Sequence, residues 1–212
     1  TVNDDSFVVP YLWVDTTNDK VYLLVDNTDG AAVWQTISDA TVTARIDAAS
    51  MVPCTTNGAA AGTHEYGTNI DVDYYAFDSG ATEERVQFKL VMPEDWDRST
   101  VKVKFYWTNA SGASAGDTVE WGIKAGALSD DDAIDAAFGT AVTVSDTLLA
   151  AGDLHVTGAT GALTVGGTPA LGDLIVFEIY RNTDGTDDMA EDGWLLYAVI
   201  QYATSNTAVS AW

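Results

Sequence analysis

Along most of the chain, hydrophobic residues recur at every second position, in runs separated by clusters of Gly, Asn, Asp, Ser and Thr. Period two is the spacing of a strand with one face toward a core and the other toward water, so the pattern predicts an antiparallel β protein. In the clearest run, Val101, Val103, Phe105 and Trp107 share one face and Lys102, Lys104 and Tyr106 the other. Before it, Val86, Phe88, Leu90 and Met92 alternate with Arg85, Gln87 and Lys89. After it, Val119, Trp121 and Ile123 form an inward row within Thr118–Lys124. Shorter strands are expected at Ile70–Phe77, Ala141–Val144, Leu154–Val156 and Ala162–Val165. The stretch Gly58–Thr63 reads as a loop.

Two runs break the alternation. Leu174–Tyr180 and Trp194–Ile200 are apolar on both faces, whereas a strand covered on one side only carries polar residues outward. Each is therefore either central and covered twice, or has one face against another subunit. One short helix is expected over Ser129–Gly139, with Ser129 as N-cap, Asp130, Asp131 and Asp132 at the positive end of the helix dipole, and Gly139 closing it. Ile134, Ala137 and Phe138 form its apolar stripe.

Residues 1–40 read as a small separate unit. Tyr11–Val14, Val21–Val25 and Ala32–Ile37 make a three-strand meander around Trp13, Tyr22 and Trp34, close to the lower limit for independent stability. It is expected to serve attachment or oligomerisation. Residues 41–212 form the main domain. The strand count, Gly-rich turns and single helix predict an all-β, two-sheet antiparallel sandwich of jelly-roll type; an immunoglobulin-type sandwich is second, since the usual Cys pair is missing.

Composition adds limits. Of 212 residues 47% are hydrophobic and 19% charged, enough for an ordinary core. No apolar run reaches the roughly 18 residues of a membrane-spanning helix, and the opening residues lack the basic and apolar regions of a secretion signal. Cys54 is the single cysteine, so no intrachain disulfide forms, and a buried, inert thiol is expected. With 32 acidic against 9 basic residues, the net charge is −23. Such a surface repels phosphate backbones and anionic lipids, so neither nucleic acid nor membrane is an expected partner.

The sequence carries no phosphate loop, dinucleotide fingerprint, HExxH, GxSxG or CxxC. His64 and His155 stand far apart, without an acid or nucleophile at motif spacing, and no catalytic residue is assigned. The densest set of hard oxygen ligands lies in Asn182–Asp192. There Asp184, Asp187 and Asp188 could hold calcium, although the loop lacks the sixth-position glycine of an EF-hand, and a solvated turn explains it as well. Asp15, Asp19, Asp26 and Asp29 read as turn formers. Trp107, Trp121 and Trp194 sit at core-facing positions. Trp96, Tyr74 and Tyr75 are the rings that could stack on a sugar, with a buried anchor as the alternative. The Asn109-Ala110-Ser111 sequon matters only in a eukaryotic secretory setting. Arg85, Lys89, Lys102 and Lys104 gather on two consecutive strands, either as a docking stripe for an acidic neighbour or as lysine protection of a sheet edge.

The unit Leu12-Trp13-Val14-Asp15-Thr16-Thr17-Asn18-Asp19-Lys20-Val21-Tyr22, followed by Asp26–Trp34, resembles a module of tailed-bacteriophage structural proteins of head or tail fibres. The stretch from Phe105-Tyr106-Trp107-Thr108 through Val119–Gly122, Ser129–Ala133 and Phe138–Val144 to Asp153–Val156 is similar to a recurrent phage virion domain. This resemblance implies a non-enzymatic structural protein on a virion surface, made in the host bacterial cytoplasm, as a capsid decoration or fibre. Its partners would be copies of itself, a trimer being expected, and other virion subunits. The alternative is a carbohydrate- or receptor-binding module of a phage tail.

Overall fold

The computed structural model describes residues 9–17, 20–28, 30–37, 41–80, 82–109, 112–183 and 186–204. Fourteen strands follow one another among them: β1 (Tyr11–Asp15), β2 (Lys20–Asp26), β3 (Val33–Thr36), β4 (Thr41–Asp47), β5 (Val52–Pro53), β6 (Ala60–Tyr66), β7 (Ile70–Phe77), β8 (Arg85–Val91), β9 (Trp96–Thr108), β10 (Thr118–Leu128), β11 (Val142–Thr147), β12 (His155–Val156), β13 (Leu174–Arg181) and β14 (Gly193–Thr204). Strands β1–β3 form a sheet of their own. The rest make a five-stranded sheet ordered β11-β10-β13-β8-β5 and a six-stranded sheet ordered β12-β9-β14-β7-β6, with β4 also on β14. From β7 to β10 each connection crosses to the opposite sheet, and β12, β13 and β14 alternate again, which is jelly-roll winding.

The core lies between the two sheets, where the period-two rows place it. Val101, Val103, Phe105 and Trp107 from β9 meet Val119, Trp121 and Ile123 from β10 and Ile175, Phe177 and Ile179 from β13, all fully buried. Phe77 stands edge-on to Trp121 at 5.2 Å, and Phe88 stacks on Phe177 at 4.9 Å, both among the favoured ring geometries. At one end Arg181 is buried with all five N–H groups used. Nε and Nη2 donate to Asp187 at 2.9 and 2.7 Å, Nη1 donates to the carbonyls of Phe77 and Glu191 at 3.1 and 2.7 Å, and Nη2 also reaches the Met189 carbonyl.

The free edge of β9 is closed by side chains as well as backbone. The Val103 and Phe105 N–H groups donate to the hydroxyls of Thr160 and Thr157, both at 3.0 Å, while the N–H groups of those threonines return to β9 carbonyls. In this edge segment Ala162–Val165 is no strand; Leu163 makes a single bridge to Val101.

Three expectations are corrected. The Ser129–Gly139 helix does not form: Asp131 adopts φ +66°, which ends helical propagation, and the Asp132 carboxylate accepts the Ser129 N–H at 2.9 Å. Beyond Ile123, β11 no longer pairs with β10. Gly139 and Gly166 take its place, both donating to the Ala125 carbonyl at 2.9 Å. A Cβ on Gly139 would sit 2.5 Å from the Thr164 carbonyl oxygen, so this glycine permits close backbone approach instead of capping a helix. Gly58–Thr63 is not all loop, because β6 begins at Ala60; its small residues leave room for the Tyr74 ring, 2.5 Å from where a Gly62 Cβ would be. Trp194 is an outer-face residue, paired with Ala76 and stacked on Tyr74 at 3.9 Å.

Both doubly apolar runs are central strands whose outer faces are partly exposed. Strand β13 is central, and the outer face at Leu174 and Val176 shares a pocket with Ile134 and Phe138 from the segment expected to be helical. Strand β14 is central in the other sheet, and its outer face lines the groove described next.

Candidate functional site: a groove on the six-stranded sheet

Strand register dictates the outer face of this sheet. Across β4, β14 and β9 the outward rows are Thr43–Gln201–Lys102, Arg45–Val199–Lys104 and Asp47–Tyr197–Tyr106. The intervening row Ile46–Ala198–Phe105 is buried. Strand β7 pairs with β14 only over Gly193–Leu195, after which β4 takes over from Tyr197. A register shift between Leu195 and Tyr197 marks the change, and such a bulge bends a strand and re-aims its side chains. Where β7 diverges, the sheet opens as a fork.

The fork holds a groove of about 560 Å³, lined by Arg45 and Asp47 from β4, Asp71, Val72 and Asp73 from β7, Tyr106 from β9, Leu196, Tyr197 and Val199 from β14, and Leu154. A second, more apolar hollow of about 380 Å³ continues it, sharing Val72, Leu154 and Leu196 and adding Tyr66, Ile70, Thr108 and Gly152. Tyr106 and Tyr197 are half-buried, their rings 6.0 Å apart and nearly perpendicular. Tyr66, packed against His64 at 4.5 Å, directs its hydroxyl toward Thr108 Oγ1 at 3.4 Å. Tyrosine rings beside carboxylates and a guanidinium give an amphipathic trough, with apolar faces to stack on and polar groups that accept or donate hydrogen bonds.

Of the residues singled out from sequence, Tyr74, Lys102 and Lys104 lie on the outer face that bears the groove, and the others fall elsewhere. Trp96 is buried, and so is Tyr75, whose hydroxyl donates to the Met51 carbonyl at 2.9 Å; neither presents a ring to a ligand. Tyr74 is on the outer face beside the groove, against Trp194. Asp187 is the counter-ion of Arg181, and Asp188 accepts the Thr118 N–H at 2.6 Å, so both carboxylates already serve the fold. Asp184, Asp19 and Asp29 lie outside the described residues. Among the described residues no three His, Cys, Asp or Glu side chains are grouped to hold a metal. Asp15 and Asp26 accept N–H groups two residues on, as turn formers do. Asn109 of the sequon is buried, its side chain accepting the Gly152 N–H at 3.2 Å.

The basic stripe is not one surface. Strand β8 belongs to the five-stranded sheet and β9 to the six-stranded one, so Arg85 and Lys89 lie on the opposite outer face from Lys102 and Lys104. Nor are the lysines at an open edge, since Thr157, Thr160 and Leu163 bond the backbone of Val101, Val103 and Phe105 along that side of β9. On the five-stranded side, the buried Glu178 gathers Lys124 at 2.9 Å, Arg85 at 3.8 Å and the Gln87 amide at 2.7 Å. Burial pushes its pKa up, but the Lys124 and Gln87 hydrogen bonds and the two cations outweigh it and hold the carboxyl below its ordinary value. Cys54 is half-buried and not fully buried as expected; it lies 3.7 Å from the same carboxylate, and burial, then the Glu178 charge, push the thiol up, which lowers its reactivity. His155 is buried against Trp107 at 4.7 Å, with Nε2 3.2 Å from the Ala150 carbonyl, and His64 packs on Trp194.

No family model and no curated protein sequence matches the chain. Among 39 matching chains of solved structure are three with the following measures. The exo-β-1,3-galactanase of Phanerochaete chrysosporium, with galactose, is 13% identical at a TM-score of 0.41; the match covers 85% of this chain and 36% of that one. A family 11 carbohydrate-binding module from Clostridium thermocellum, in complex with a β-1,3-1,4-mixed-linked tetrasaccharide, is 9% identical at 0.34, covering 89% and 96%. A chain of infectious bursal disease virus, Gx strain, is 9% identical at 0.36, covering 89% and 40%.

Proposed function

We propose that this chain is a saccharide-binding β-sandwich that holds its ligand in the forked groove without cleaving it. The observation that carries this reading is the lining itself. The Tyr106 and Tyr197 rings stand half-exposed in an open trough of about 560 Å³, with Arg45 and Asp47 of β4 and Asp71 and Asp73 of β7 along its other side. Sugars present apolar C–H faces and a fringe of hydroxyls, which such rings and carboxylates match. With the phage resemblance, the natural ligand would be a host-surface glycan. Affinity electrophoresis against a panel of soluble polysaccharides tests this. Retardation by at least one polysaccharide, weakened about tenfold or more in Tyr197→Ala with unchanged circular dichroism, is the expected result; retardation by none overturns the reading.

A second reading, a structural subunit of a particle surface, is favoured by the β1–β3 sheet. Leu12 and Val14 on one face and Trp13 on the other are each about half exposed, a poor state for a three-strand sheet on its own. A trimer mass in solution supports this reading, and a 22.5 kDa species at micromolar concentration counts against it.

A further inference from the structure

We infer that the groove selects saccharides bearing an anionic group, a uronate carboxylate or a phosphate, placed over the floor beside Tyr106 and Tyr197. This rests on the saccharide reading above and deepens it. Register puts Arg45 and Lys104 in one outward row on either side of Val199, with Lys102 in the next row. At a strand spacing of about 4.8 Å, the Arg45 and Lys104 backbones stand about 10 Å apart, within reach of two long side chains converging over Val199 from both sides. Both cations are exposed, and so is Lys102.

None of the three is in an ion pair among the described residues, although the chain carries 32 acidic side chains and 9 basic ones. On the other outer face Arg85 and Lys124 close on Glu178. In a chain with such an acid excess, cations left unmatched beside two tyrosines are available to a ligand's negative charge. The acids in the groove stand to one side of this floor. Asp47 is one row on, beside Tyr197, and Asp71 and Asp73 are on the diverging β7. The outer face is thus polarised, with Arg45 in the groove and Lys104 flanking Val199 from β9 at one end, and carboxylates toward the β7 arm. A saccharide lying along it would set its acidic substituent over Arg45 and Lys104 and its hydroxyls against the aspartates. Guanidinium and ammonium groups make charge-assisted hydrogen bonds about twice as strong as neutral ones.

The experiment compares polysaccharides in matched pairs: alginate and polygalacturonate against their carboxyl-reduced forms, and a mannan bearing pendant phosphomonoesters against the same mannan after phosphatase treatment. Each polymer is run at low and physiological salt with the whole chain, Arg45→Gln, Lys104→Gln and Tyr197→Ala. Tighter binding of an anionic member than of its neutral partner is expected, weakened about tenfold by either cation variant and by added salt. The pair that responds identifies carboxylate or phosphate as the group held. Binding that ignores charge, or that Arg45→Gln and Lys104→Gln leave unchanged while Tyr197→Ala abolishes it, overturns this inference and leaves the saccharide reading standing. Binding to no member of any pair overturns both.

Discussion

Cutting the Arg181–Asp187 pair isolates what a buried charge requires of this fold. The two side chains are 0% and 2% exposed, with Nη2 and Oδ1 2.7 Å apart. Asp187→Ala leaves a guanidinium in the core with no counter-ion and orphans the Glu120 N–H, which donates to Asp187 at 3.0 Å. Removing one partner of a buried pair costs about 3–5 kcal/mol, which for a chain of this size lowers the melting temperature by roughly 6–20 °C. Arg181→Met does comparable damage for a different reason, leaving Asp187 charged and three carbonyls, of Phe77, Glu191 and Met189, without their donor. The double variant should lose less than the sum of the singles, because the unpaired charge is gone. It should not regain wild-type stability, because the three carbonyls stay orphaned at about 1–3 kcal/mol each. Urea unfolding followed by tryptophan fluorescence, with calorimetry on the same four proteins, gives the cycle. Strict additivity, or an Asp187→Ala cost under about 1 kcal/mol, would refute the account of this corner.

The other outcomes follow from single contacts. Gly122→Ala drives a methyl into the Tyr180 ring that lies across it and should cost about 1–3 kcal/mol, read as a lower urea midpoint; an unchanged midpoint means the ring swings away freely. Glu178 has its folded pKa below the unfolded 4.5, so its contribution is present above about pH 4.5 and is lost as pH falls through the folded value. Glu178→Gln should flatten that part of the acid limb in a difference curve, and parallel curves for the two proteins would contradict it. Burial and Glu178 raise Cys54 above its ordinary 9.0, so iodoacetamide should modify it at pH 8.5 more slowly than in urea; equal rates would show an ordinary thiol.

The inward rows were legible because a two-residue period leaves one arrangement that buries Val101, Val103, Phe105 and Trp107 together. Which sheet each strand joins is not written in that period. Arg85 and Lys89 share a pattern with Lys102 and Lys104 yet face opposite ways, because the chain crosses the sandwich between them. The helix reading of 129–139 failed on Asp131, whose left-handed backbone its side chain permits but does not announce, and on Gly139, where close packing and capping ask for the same residue. The groove was missed for a related reason. Tyr106 was legible as outward, but Arg45, Asp47, Asp71, Asp73 and Tyr197 come from three strands whose convergence depends on a fork in the hydrogen bonding. One signal was present: the outward apolar and aromatic positions of Trp194–Ile200, which a buried subunit contact and a ligand trough explain equally well from sequence.

The position of β14 bears on how the molecule is made. Among the described residues it is the last strand in order, yet it holds the middle of its sheet, joined to β9, β7 and β4. Asp47 must wait for Tyr197, 150 positions later, before β4 has a partner. On the ribosome the β6–β7 hairpin can pair early, but the six-stranded sheet has no centre until β14 emerges, and its apolar inner rows stay uncovered until then. Folding is thus dominated by distant pairings, the regime of milliseconds to seconds. A chain cut short before residue 193 would leave those apolar inner rows uncovered, the kind of surface that drives aggregation and that chaperones recognise.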